Sequence, residues 1–257
     1  MNLTRTSNPL FGSNVFQKAQ SVDTGDSMTI NGTINKTALV ILFVVASAFY
    51  VWQRFFAVFD PANPALAVSK VTTLMAIGGI GGFILAMIAS FSPKKAGFFT
   101  PLYAILEGLF LGGISAMFEA QFPGLVIKAV ALTFMVFLSM LLIYRQRIIK
   151  VSSKFRRGMM SALMGLMFFY LASWIAGFFG ANVSYLSGGG TFGLIFSIIV
   201  TGISAFSLLL DFDMIERGAA EGAPKYMEWY SVFGLLVSLV WLYINILRLL
   251  SIFARRN

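Results

Sequence analysis

The chain has no cysteine and no histidine among its 257 residues, and only 11% of its side chains are charged. Without cysteine there is no disulfide, no thiolate metal site and no cysteine nucleophile. Without histidine, imidazole metal sites and triads that run through a histidine base are excluded. Any proton-linked behaviour near neutral pH therefore falls to carboxylates held in unusual surroundings. Only ten such acids exist, against nineteen lysines and arginines. The first twenty residues have no apolar stretch after their charges, so no cleavable signal peptide is expected.

Apolar residues fill the space that charge leaves. They make up 58% of the chain, and the mean hydropathy is +0.84. The longest stretch without charge runs from Gly158 to Leu210, fifty-three residues ended by Asp211. As one helix it would reach roughly 80 Å, more than twice the ~30 Å hydrocarbon core of a bilayer. It must fold back once, and its only polar, helix-breaking stretch is Gly180 to Gly190. Two spans result, and the second carries Asp211 and Asp213 to its far end.

Apolar runs of about twenty residues predict seven spans: Ala38–Trp52, Val71–Ser90, Pro101–Phe118, Val126–Tyr144, Met159–Phe179, Gly193–Leu210 and Tyr230–Phe253. The expected fold is all-α, a polytopic membrane protein. Residues 1–34 are polar and read as a mobile tail, and 35–257 form one transmembrane domain. The densest basic cluster, Arg145, Arg147, Lys150, Lys154, Arg156 and Arg157, lies between spans four and five. Placing it in the cytoplasm puts thirteen of the nineteen Lys/Arg inside, with the amino terminus inside and the carboxyl terminus outside. Arg255 and Arg256 pull the other way: either the tail is exported or one shorter segment is re-entrant. The net charge of +9 reads as basic loops facing an anionic bilayer surface, with no nucleic-acid partner.

Position sorts the acids. Asp23, Asp26, Asp60 and Glu119 fall in the tail or loops as solvated charges. Glu107 lies six residues into span three, where a carboxylate cannot face lipid. It either packs two helices through a hydrogen bond or belongs to an ion or proton path. Asp211 and Asp213, two residues apart on a helix, point to opposite sides. Asp211 directly follows the apolar run and is expected to face the bundle interior, where an acid is costly and marks a functional site. Asp213, with Glu216 and Arg217 at i+3 and i+4, is expected in a surface ion-pair cluster. Gly78, Gly79, Gly81 and Gly82 in span two, and Gly108 with Gly112 in span three, suit close helix approach.

Several membrane functions are excluded. A retinal protein needs a lysine in its last span, and none follows Lys225. A rhomboid-type protease needs histidine, and a presenilin-type protease needs paired acids with a Gly-x-Gly-Asp signature. Three stretches resemble the Bax inhibitor-1/YccA family, in its bacterial branch. They are Ile34–Phe43, Pro101–Gly113, and Leu210–Gly218 continuing to Pro224–Tyr230 and Trp241–Leu250. The resemblance implies seven helices with the last one central, no enzymatic activity, and a pH-sensitive calcium leak in the bacterial inner membrane. In relatives, an aspartate late in span six shares a proton with one in span seven, and that pair opens or closes the pore. Asp211 matches the first. The second has no acid here: one alignment puts Asn245 at the position, another Ser238.

The leading expectation is an ion leak or transport protein, with Asp211 the principal site residue and Glu107 or Glu228 a candidate second acid. No cofactor is expected, and Ca²⁺ or H⁺ would be cargo. With no second carboxyl opposite Asp211, the pH switch should be weaker or displaced relative to the family. The alternative is a non-conducting scaffold that binds other membrane proteins, such as a quality-control protease. A membrane enzyme ranks third, because one intramembrane acid is a poor catalytic set.

Overall fold

A computed structural model describes residues 27–179 and 190–256. Among them are seven helices long and apolar enough to cross a membrane. They are α1 (Ile30–Phe56), α2 (Ala65–Phe91), α3 (Ala96–Gln121), α4 (Leu125–Arg145), α5 (Ser153–Phe178), α6 (Thr191–Ala220) and α7 (Tyr226–Arg256). A short 3₁₀ turn, Pro93–Lys95, leads into α3. No strand occurs among the described residues; the only extended pairing is a single bridge from Ser27 to Pro224. The chain is an all-α polytopic membrane protein.

Six of the seven helices overrun at both ends the apolar stretch that predicted them, and α5 starts six residues before its stretch and stops one short of its end. α6 continues nine residues past Asp211 to Ala220, so Asp211 and Asp213 sit within a helix. Most of the expected tail, residues 1–26, lies outside the described residues. Its last part is helical: α1 starts at Ile30, with the Thr29 side chain accepting a bond from the Gly32 amide at 3.0 Å. The turn over Gly180 to Gly190 also lies outside the described residues, apart from Gly190.

The described residues fall into two compact units: 27–120 with 214–236, and 121–179, 190–213 and 237–256. In the first, α1, α2 and α3 pack through glycines. A side chain at Gly108 or Gly112 would strike the backbone of Val44 or Ala48 on α1, and one at Gly78 would strike α3 at Leu106 and Phe110. Backbones approach this closely only where the side chain is missing, the usual solution where lipid supplies no hydrophobic drive between helices. A cluster of Val51, Phe55, Ala67, Val71 and Ala116 fills one end.

In the second unit, Phe212 of α6 lies between Phe137 and Tyr144 of α4, with centroids at 5.6 and 5.8 Å. Little of α5 is buried, 6% of its most apolar stretch, close to the 11% of α1 and of α4 and far from the 50% of α6 and of α7. α6 ends in a Schellman turn within the first unit. Gly222 takes φ 65°, the Ala223 amide donates to Gly218 O at 2.9 Å and the Gly222 amide to Ala219 O at 3.3 Å. Left-handed backbone of this kind favours glycine. The turn sends the chain back as α7.

Candidate functional site

Asp211 is 5% exposed, on the buried side of α6. The hydroxyl of Ser238 on α7 hydrogen-bonds its carboxyl group. Its other oxygen, Oδ2, is buried with no hydrogen-bond partner. Buried polar atoms in folded proteins are almost always satisfied, so an unpartnered carboxylate oxygen points to a partner from outside the chain or to a role beyond packing. Of the two positions weighed opposite Asp211, Ser238 makes the contact. The amide of Asn245 instead donates to Trp241 O on its own helix at 2.8 Å.

Asp213 does not belong to a solvated surface cluster. It is 6% exposed, and Arg156 of α5 donates from Nη2 to its Oδ2 at 2.6 Å. This partner lies fifty-seven residues away, on a different helix from the Glu216 and Arg217 that the sequence sets beside Asp213. Arg156 is in the first turns of α5, whose start is capped by the Ser152 side chain accepting from the Phe155 amide at 3.2 Å. In the sequence Arg156 is only one member of the densest basic cluster. An arginine among five neighbouring cations gives no sequence signal of which one turns inward.

Glu107 and Glu228 lie in the first unit. Glu107 is buried on α3, hydrogen-bonded to Tyr103 one turn earlier. Gly82 of α2 makes room for it: a Cβ there would sit 3.1 Å from Glu107 Oε2. Tyr103 in turn stands edge-on to Phe233 at 5.3 Å. Glu228, at the start of α7, is fully buried. It accepts bonds from the Thr29 amide at 2.8 Å and the Thr29 hydroxyl at 3.0 Å, and pairs with Lys36 of α1. Lys225 lies 3.8 Å away. A side chain at Gly32 would collide with this carboxylate. A glutamate with a cation and two hydrogen-bond donors reads as a clasp between the starts of α1 and α7.

Among the described residues, no group of three or more Asp and Glu could hold a metal ion.

Comparison with known proteins adds one finding. A family model described as Bax inhibitor 1 like matches residues 8–255. No curated protein and no solved structure matches the chain.

Proposed function

The chain belongs to the Bax inhibitor 1 like family, and from that premise we propose that it is a non-enzymatic ion leak of a bacterial inner membrane, with Asp211 its principal site. The cargo we propose is Ca²⁺, with protonation of Asp211 setting the leak and the amino terminus in the cytoplasm. One observation carries the reading: Asp211 is buried on a membrane-spanning helix with a carboxylate oxygen that no protein group satisfies. Holding such a group serves packing poorly, because an apolar residue of similar size would fill the place at lower cost. Glu107, Asp213 and Glu228, the other buried acids among the described residues, have protein partners and, unlike Asp211, no buried carboxylate oxygen left without one. That contrast selects Asp211.

Reconstitution tests the reading against the non-conducting alternative. Purified protein in liposomes loaded with a calcium-sensitive dye should admit calcium faster than protein-free liposomes. Rates equal to protein-free liposomes across a series of pH values would leave a scaffolding role in its place.

A further inference from the structure

α6 carries a row of hydroxyl side chains that leads to Asp211. Ser197, Thr201, Ser204, Ser207 and Asp211 follow one another at steps of four, three, three and four residues. Such steps make each a surface neighbour of the next on a helix. From Ser197 to Asp211 the row covers about 21 Å at the helical rise. All but the half-buried Thr201 are buried, with Ser204 at 0% and Ser197 at 2% exposed. Three of the hydroxyls spend their proton on their own helix: Thr201 donates to Ser197 O, Ser204 to Thr201 O and Ser207 to Ser204 O, at 2.7 to 2.8 Å. Their lone pairs remain as acceptors.

Both ends of the row carry an unsatisfied group. Ser197 Oγ and Asp211 Oδ2 are each buried without a partner. A hydroxyl and a carboxylate left bare at membrane depth are costly, and water is the small partner that meets acceptors and donors alike. The row is also one-sided. Toward the Thr191 end the next position is Gly193, which has no side chain to block it; past Asp211 the neighbours are Met214 and Ile215. Ile215 packs against the apolar cluster of Met28, Ala96 and Met227.

We propose that this hydroxyl face of α6 is a water track joining Asp211 to the compartment at the Thr191 end of the helix, and not to the compartment at the Ala220 end. It rests on reading Asp211 as the site and specifies the route by which water and protons reach it. Waters along the row would hydrate the carboxyl group through the oxygen that Ser238 leaves free.

The natural absence of cysteine makes the track directly testable. Ser197→Cys and Ser204→Cys each exchange one oxygen for sulfur. The probe is the silver ion, a water-sized cation that bonds thiolate, applied to one face of sealed vesicles. After quenching and unfolding, the thiols left unreacted are counted by alkylation. Leu209→Cys is the control, because Leu209 is also 0% exposed but lies off the row. Thiolate forms only where water reaches, so both serine variants should react at least about ten-fold faster than Leu209→Cys, and from the Thr191 face only. Should Ser204→Cys fail to assemble, Thr201→Cys reports the same row. Reaction at the Leu209→Cys rate, or from the Ala220 face alone, overturns the proposal. No ion flux enters this measurement, so a dry row and a non-conducting protein are separate results.

Discussion

Asp211 and Asp213 stand two residues apart on α6, yet substitution should affect them in different ways. Asp213 is held by Arg156, so Asp213→Asn leaves an inward-facing arginine without its counter-ion. The expected cost is about 2 kcal/mol, less than for a fully buried pair because Arg156 is partly exposed. Thermal unfolding in detergent would show it. The double variant Arg156→Gln/Asp213→Asn should be less destabilised than the sum of the two single changes, and full additivity would mean the pair is incidental. Asp211→Asn removes a charge that has only one hydrogen bond, so its unfolding temperature should stay close to that of the unmodified protein. Ser238 supplies a third expectation. Ser238→Asp puts a second carboxyl beside Asp211, and two close carboxyls share a proton. Calcium entry should then depend more steeply on pH in Ser238→Asp than in Asn245→Asp, whose position is engaged with Trp241 O. Equal steepness would mean that the contact between Ser238 and Asp211 does not set the switch. The inward face of Asp211 is legible from the end of the apolar run. The inward face of Asp213 is not, because its partner comes from a different helix and sits within a run of cations.

At the scale of the helix, glycine spacing gave a sound guide. Gly108 and Gly112 are one turn apart, and each meets the backbone of α1 where a Cβ would be. Gly79 faces the ring of Phe110, whose edge lies 3.3 Å from where a Cβ would sit. Gly108→Ala should therefore cost on the order of 2 to 3 kcal/mol, as an overpacked contact that forces two backbones apart. Gly79→Ala should be close to neutral, since the gain in helix propensity offsets a small ring movement. Comparable unfolding temperatures for the two variants would contradict this account of α1 and α3. Helix ends were less legible than helix centres. Apolar runs mark the part of a span that meets lipid, whereas α1 begins at a threonine cap and α6 continues through charged residues to a glycine turn. The clasp of Glu228 with Thr29 and Lys36 was hidden because its partners are about two hundred residues apart.

For the whole molecule, the seven spans and the family follow from composition and from three short stretches, since a bilayer restricts a chain this apolar to helices. The orientation we propose rests on the lysines and arginines alone. A reporter fused after Lys154 should read cytoplasmic and one fused after Gly190 external; the reverse would also exchange the compartment that the α6 hydroxyl row faces. The central claim is that one unsatisfied carboxyl on α6 governs an ion leak, and calcium entry into proteoliposomes across a pH series tests it most directly when Asp211→Asn and Asp213→Asn are compared with the unmodified protein. The account predicts that Asp211→Asn abolishes the pH dependence of entry, while Asp213→Asn keeps it in whatever protein remains folded. A pH response unchanged by Asp211→Asn, or lost equally in both variants, would contradict it.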